Sequence, residues 1–279
     1  MTLLVRYDAG DGPRLGAQRD EYVAPLPLES MAAALSLRLG ELRQAVETAT
    51  ADTVPLSAVK LLAPVDAQEV WAAGVTYLRS RDARLEESGG ADVYQRVYES
   101  ERPELFFKSQ GWRVAGPGEP IGVRRDSAWN LPEPELTAIV NAHGEVAGYT
   151  AGNDVSSRDI EGANALYLPQ AKVYRRSCAL GPGIRPAWEL DAAPVFAIDL
   201  RITRGDTTLA EASTDTTRMV RSVAELVDWL WRCLDFPDGV ALMTGTGIVP
   251  DSSVSLRAGD EVAISVDAVG TLRNTVVVV

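Results

Sequence analysis

A single histidine, His143, and two cysteines, Cys178 and Cys233, occur among 279 residues. That scarcity excludes several chemistries at once. His143 lies in Asn-Ala-His-Gly, residues 141–144, a run of turn formers, so it reads as an exposed turn residue. Without a buried imidazole, neither a Ser–His–Asp triad nor a Cys–His pair is available. No cysteine pair has ligand spacing, which disfavours zinc. Two thiols make no disulfide framework and suit a reducing compartment.

Other features are missing too. No G-x-G-x-x-G opens a strand–helix unit and no G-x-x-x-x-G-K-[ST] occurs, so nicotinamide and nucleoside triphosphate binding lose their usual support. The start, MTLLVRYDAG, lacks the basic region and long apolar run of a signal peptide. No stretch reaches the roughly 18 apolar residues of a membrane span. The expectation is a cytoplasmic protein that engages no membrane.

The balance of charge is acidic, with 39 Asp and Glu against 27 Lys and Arg and a net charge of -12. This disfavours a nucleic-acid surface. The basic residues cluster within residues 79–125 and 158–176. They read either as a basic lining for an anionic metabolite or as ordinary surface ion pairs.

Residues 1–65 read as a small N-terminal α/β domain: a strand at TLLVRY, then one helix over residues 30–48 with apolar residues at helical spacing. Pro64 marks the boundary. From Glu69 to residue 279 strand-like runs dominate: EVWAAGVTY, ELFFKS, ELTAIVN, EVAGYTAGN, VFAIDLRITR, EVAISVD and the terminal valines. The turns NAHG and DAVG suggest hairpins. A helix starts at Ser222 as cap, with Glu225 as its partner, carries Val223, Leu226, Leu230 and Trp231 as an apolar stripe and ends near Asp235–Pro237. The fold class is mostly β with some α. Regular strand–helix alternation is missing, which excludes a doubly wound nucleotide fold.

The most informative stretch is residues 132–159, PEPELTAIVNAHGEVAGYTAGNDVSSRD. Glu133 and Glu135 are two apart, so on a strand they share a face. Two adjacent carboxylates on an apolar sheet repel and lose solvation. A hard divalent cation removes both problems. Asp154 follows the second arm of the hairpin and returns toward the same end. Three oxygen ligands suit Mg²⁺, or Mn²⁺ and Ca²⁺ less selectively. The competing reading is a solvated glutamate at a strand start. Lys172 and Lys108 sit in apolar or aromatic settings, suited either to stabilising a developing oxyanion or to snorkelling at the surface. The loop TGTGIVP, beginning Thr244, Gly245 and Thr246, offers amides and hydroxyls to a carboxylate, or is a plain tight turn.

At these residues the chain resembles the fumarylacetoacetate hydrolase family, over roughly residues 65–279. The matching motifs are Glu133-Pro-Glu135-Leu136, Gly148-Tyr149, Asn153-Asp154-Val155-Ser156 with Arg158-Asp159, Ala171-Lys172, Leu180-Gly181-Pro182 and Thr244-Gly245-Thr246. The resemblance implies a mixed β roll and Mg²⁺ at Glu133, Glu135 and Asp154, with Lys172 beside it. It also implies a small 2-oxo acid or 1,3-diketo substrate and a homodimer or homotetramer.

One departure redirects the chemistry. Hydrolytic members carry N-Y-x-x-H after a V-G-type strand, and their histidine helps activate water for C–C cleavage. Here Thr76-Tyr77-Leu78-Arg79-Ser80 occupies that stretch, with Thr76 for the Asn and Ser80 for the His. Residues 75–87 and 161–172 are more similar to a dehydrating branch of the family. That branch converts a 2-keto-3-deoxy sugar acid of the D-arabinonate type into 2,5-dioxopentanoate and water. The alternative is an acylpyruvate-type C–C hydrolase, or a related 2-oxo acid isomerase or decarboxylase. A binding module with a relic site is a third reading, disfavoured by the intact carboxylate and lysine set.

On the dehydratase reading, Glu104, beside Phe106 and Phe107, is the candidate base, its pKa raised by apolar neighbours. A purely structural pairing with Arg102 or Arg113 is its alternative. Lys172 steadies the enolate, and Arg79 and Ser80 attend the distal hydroxyls. Thr76, Tyr77, Lys108, Arg158, Asp159, Thr244, Gly245 and Thr246 are the expected substrate contacts. Glu86 and Glu87 fall where family members place a lid.

Overall fold

The computed structural model describes residues 1–87 and 93–279. At its centre Pro134–Val140 pairs antiparallel with Val146–Asp154, placing Glu135 opposite Gly152 and Pro134 opposite Asn153. The turn between them is held by Asn141 Oδ1, which accepts from the His143 and Glu145 amides. Both strands are buried almost throughout. Their near-continuous apolar character follows from cover on both faces.

Side chains alternate across Pro134–Val140. Leu136, Ala138 and Val140 pack with Ile198, Leu200, Ile264 and Leu272 of a second sheet. Ile139 packs the other way, with Met31, Leu35 and Leu42 of the N-terminal helices. By the same two-residue period, Glu135 and Thr137 point to the Ile139 side.

Among the described residues the larger sheet has eleven strands. From one edge the order is Val54–Pro55, Tyr22–Pro25, Pro13–Arg19, Thr2–Asp8, Cys178–Pro186, Val146–Asp154, Pro134–Val140, Val240–Met243, Glu69–Gly74 and Glu104–Gln110, with Lys60–Leu62 also pairing on Thr2–Asp8. The second sheet runs Thr207–Asp215, Ala197–Arg204, Glu261–Val266, Gly270–Val278 and Ile121–Val123. Most pairings are antiparallel, but Val240–Met243 lies parallel to Glu69–Gly74 and Gly270–Val278 parallel to Ile121–Val123. The architecture is mostly β with mixed sheets. No helix among the described residues is long and apolar enough to cross a membrane.

The single helix expected over residues 30–48 is two helices, Met31–Leu35 and Leu39–Thr48. The break is stabilised from outside. The carbonyls of Leu35, Ser36 and Leu37 receive the Ala142 amide, the His143 ring and the Asn141 side-chain amide. The second helix then restarts with Glu145 accepting from the Leu39 amide at 3.0 Å. Asp66 caps the first helix by accepting from the Met31 and Ala32 amides. The N-terminal unit is therefore stitched to the 141–145 turn and shares a sheet with Cys178–Pro186.

The helix expected from Ser222 to near Asp235–Pro237 forms as Val223–Trp231, stopping short of that bound, and is capped by Ser222, whose hydroxyl accepts from the Glu225 amide. Several strands match none of the strand-like runs; the first of the three longest in residues 66–279 is Cys178–Pro186, followed by Thr207–Asp215 and Val240–Met243. The first contains Gly181, Pro182 and Gly183, residues poor in strand propensity; the sheet on either side overrides them.

Candidate metal and substrate site

The hairpin carries Glu133, Glu135 and Asp154 to one end of the sheet, where each offers a carboxylate oxygen within 4.8 Å of the others. All three are buried. Asp154 is fastened there by its own amide, which donates to Glu133 O at 3.0 Å. Glu135 Oε2 accepts from the Gly245 amide at 2.6 Å. Gly245 sits at φ +90, and a Cβ there would lie 2.0 Å from Thr76 Oγ1, so conformation and space both require glycine.

Cations surround two of the three carboxylates. Lys172 Nζ lies 3.0 Å from Glu133 Oε1 and 2.9 Å from Asp154 Oδ2. Lys108 pairs with Asp154 Oδ1 from behind and donates to the Val155 and Lys172 carbonyls. Arg84 Nη2 lies 2.9 Å from Glu133 Oε1 and 3.2 Å from Glu161 Oε1. Burial opposes the charge on Glu133, but Lys172 and Arg84 outweigh it and hold the carboxyl well below the usual range. Burial likewise opposes the charge on Lys172, and Asp154 and Glu133 overcome it, so the ammonium is held charged.

Glu135 is the exception. Burial, then the charges of Asp154 and Glu133, push its carboxyl well above the usual range. A buried, oxygen-only set with one under-compensated carboxylate fits a hard divalent cation of the Mg²⁺ type. The residues that would hold it are Glu133, Glu135 and Asp154.

The trio lines a tight pocket, walled also by Gly74, Ser80, Arg84, Glu104, Phe106, Glu161, Lys172, Gly245 and Thr246. A wider concavity on the second sheet is lined by Arg201, Glu211, Glu261 and Arg273, which are already paired as Arg201–Glu211 and Arg273–Glu261. Convergent, under-compensated groups mark the smaller cavity as the candidate site.

Glu104 enters at the end of Glu104–Gln110, opposite Gly74 in the neighbouring strand. A Cβ on Gly74 would stand 2.1 Å from Glu104 Oε2, so the missing side chain is the space the carboxylate fills. Burial, then the charge of Glu161, pushes the Glu104 carboxyl up to about 7. A carboxyl near neutrality, aimed into a cavity, is suited to proton transfer.

Several expected substrate contacts stand elsewhere. Arg79 is exposed on Leu78–Glu87 and does not line the cavity, whereas Ser80 does. On that helix Arg84, four residues on from Ser80, faces the site instead. Lys108 is fully buried behind Asp154 and supports a ligand rather than reaching the cavity. Thr76 donates to the Thr244 carbonyl at 2.7 Å, and Thr244 Oγ1 donates to Leu136 O at 2.9 Å; both brace the loop from beneath. Tyr77 is buried against Gly247, where a Cβ would lie 2.6 Å from its ring. Arg158 Nε lies 3.6 Å from Glu133 Oε1, outside the cavity wall. Asp159 accepts from the Ser127 hydroxyl and the Ala128 amide and orders that loop. The side chains of Glu86 and Glu87 lie outside the described residues. Arg84, Glu161 and Gly74 were missed. The available signals were the Ser80–Arg84 spacing of one helical turn and a glutamate in the Arg158–Ala163 segment.

Comparison with known proteins agrees with this geometry. Residues 69–277 match the family described as fumarylacetoacetate (FAA) hydrolase C-terminal. A probable 2-keto-3-deoxyxylonate dehydratase of Haloferax volcanii is 48% identical over 216 residues, 77% of this chain and 74% of that one. The 2-dehydro-3-deoxy-D-arabinonate dehydratase of Saccharolobus solfataricus is 41% identical over 218 residues, 77% of this chain and 73% of the other. The structure of a 2-keto-3-deoxy-D-arabinonate dehydratase complexed with magnesium and 2,5-dioxopentanoate superposes with a TM-score of 0.86 at 33% identity, covering 100% of this chain and 99% of that one. The buried carboxylate trio, the fold and these likenesses agree, and the chain belongs to the fumarylacetoacetate hydrolase family.

Proposed function

We propose that the chain is a Mg²⁺-dependent hydro-lyase that converts 2-keto-3-deoxy-D-arabinonate, or a close 2-keto-3-deoxy sugar acid, into 2,5-dioxopentanoate and water. The observation that carries the reading is the carboxylate trio sharing one cavity with Lys172 and a neutral-range Glu104. The dehydratases named above lend it weight.

When bound, a divalent cation at Glu133, Glu135 and Asp154 supplies Lewis acidity toward a 2-oxo acid. The chain's own groups do the rest. Glu104 takes a proton from C3. The Lys172 ammonium donates toward the oxygen at C2, where negative charge grows. The C4 hydroxyl then leaves with a proton as water, attended by Ser80. Elimination leaves a C3–C4 double bond conjugated with the C2 carbonyl. A proton then leaves C5 and one returns at C3, which gives the C4–C5 enol, and this tautomerises to the terminal aldehyde with no redox partner.

The hydrolytic alternative lacks its usual group. His143 is exposed, its ring against the Ser36 carbonyl, and Ser80 stands at the cavity wall. The proposal extends to a cytoplasmic setting, consistent with the free thiols of Cys178 and Cys233, and to a homodimer or homotetramer. It also takes residues 1–65 as a small N-terminal domain and 66–279 as the metal-binding one, since the family match begins at residue 69.

The test is incubation with Mg²⁺ and 2-keto-3-deoxy-D-arabinonate, read by mass spectrometry. A product lighter by one water and trapped as an aldehyde is expected. An unchanged acid would overturn the reading, and an acylpyruvate would then be tried.

A further inference from the structure

Glu161 is buried in the cavity wall, 5% exposed, and beyond raising the Glu104 carboxyl takes no part in the chemistry assigned above. The helix Arg158–Ala163 brings it there. Its two oxygens have different surroundings. Oε1 is held by Arg84 at 3.2 Å, and Arg84 in turn grips Glu133 Oε1 at 2.9 Å. Oε2 is buried and accepts no hydrogen bond among the described residues.

Burying a carboxylate oxygen without a donor is costly, and such atoms are rare in folded proteins. An ionised carboxylate only accepts, so what it lacks is a donor. Arg84 already supplies a positive charge beside it, so a neutral donor completes the site without a second cation. A substrate hydroxyl is such a donor. Ser80 and Glu104 share the same cavity, so the hydroxyl would meet Oε2 beside the reacting carbons.

We propose that Glu161 is the specificity-determining residue of this site: its Oε2 receives a hydroxyl of the substrate's polyol tail, and Arg84 holds it in place for that purpose. The proposal rests on the dehydratase reading for the identity of the tail. A 2-oxo acid with an alkyl tail leaves Oε2 buried and unpaired, so it is rejected. The Arg84 bridge makes the reader of the tail rigid with respect to Glu133, and therefore with respect to the end that holds the 2-oxo carboxylate.

The experiment compares the wild type with Glu161→Gln and Glu161→Leu, each loaded with Mg²⁺. Two compounds are used: 2-keto-3-deoxy-D-arabinonate and 2-oxopentanoate, which has the same chain length and no hydroxyl. Steady-state kcat/KM is measured for the first, and C3 proton exchange in D₂O for the second. Both variants are expected to lose roughly 10- to 100-fold in kcat/KM on the hydroxylated acid, mainly through KM. Loss of the Glu161 charge lowers the Glu104 carboxyl, so exchange on 2-oxopentanoate is compared on the plateau of each protein's own pH profile, and there it and the Kd for Mg²⁺ should stay within about twofold. A parallel fall on both compounds with a weaker Mg²⁺ Kd would assign Glu161 a merely structural role and overturn the proposal. So would unchanged selectivity. If the wild type removes no water, the dehydratase reading fails on its own. Calorimetric Kd values for the two acids would then decide the hydroxyl preference directly, and equal values in wild type and variants would overturn it.

Discussion

Lys172 Nζ lies 2.9 Å from Asp154 Oδ2, both groups buried, so a fixed cation shares the carboxylates proposed to hold a mobile one. The two cations repel, yet both are required on the mechanism above. Replacing Lys172 with Met is expected to lower kcat by roughly 10²–10³-fold, the range for loss of one oxyanion donor. Mg²⁺ should bind no more weakly, because a competing charge has been removed. Calorimetric titration beside steady-state kinetics reads both. A loss of Mg²⁺ affinity in step with kcat would show that Lys172 builds the metal site rather than serving the substrate.

Glu135 makes the opposite prediction. Its carboxyl is raised by burial and by Asp154 and Glu133, so in the metal-free protein its charge is a burden. Glu135→Gln should keep or raise metal-free thermal stability. Mg²⁺ affinity should fall by more than the roughly 10–100-fold that outer-shell changes cost. Differential scanning fluorimetry with and without Mg²⁺ separates the two effects. Tight Mg²⁺ binding retained in this variant would remove Glu135 from the ligand set.

The Glu104 carboxyl, held up to about 7 by burial first and Glu161 second, sets a pH limb. A base must be ionised, so kcat/KM should rise with pH through the region at or below 7 and then level off, Mg²⁺ drawing the midpoint down. Glu104→Gln should be slow at every pH and lack the limb. Stability runs the other way. A raised carboxyl contributes fully below its unfolded value near 4.5 and loses that contribution as pH climbs through about 7. Metal-free Glu104→Gln should therefore be the more stable protein at pH 8, by about 3 kcal/mol at most. Urea melts at pH 5 and pH 8 test the sign.

Gly74→Ala puts a methyl where Glu104 Oε2 now lies, 2.1 Å from the ideal Cβ position. The obstructing atom is the end of a side chain, so it can swing away, and stability should fall by only about 1 kcal/mol. The displaced base should cost about 100-fold in kcat, in keeping with the sensitivity of catalysis to misplacements near 1 Å. Unaltered kcat would mean that Glu104 does not act from this position.

What was legible in the chain follows from period and turn chemistry. The spacing of Glu133 and Glu135, with the 141–144 turn, placed Asp154 beside them because a hairpin returns by a fixed register. The helix over residues 30–48 was over-extended because its interruption is caused from outside, by Asn141, Ala142 and His143. Cys178–Pro186 went unseen because Gly181, Pro182 and Gly183 argue against a strand until its two neighbours exist. Lys108 and Lys172 looked alike, and only the depth of Lys108 behind Asp154 separates a supporting cation from one facing the cavity. Arg84 and Glu161 join elements that are distant along the chain, and no local pattern marks such a pair.

The 141–145 turn, described above as the cap over a broken helix, has a consequence for how the chain comes apart. The same five residues close the hairpin that carries Asp154 and seal the carbonyls of Leu35, Ser36 and Leu37. Melting either partner exposes the polar groups of the other, so the N-terminal helices and the hairpin should be lost together. One calorimetric transition is expected, and a fragment beginning near residue 66 should aggregate along the uncovered edge of Cys178–Pro186.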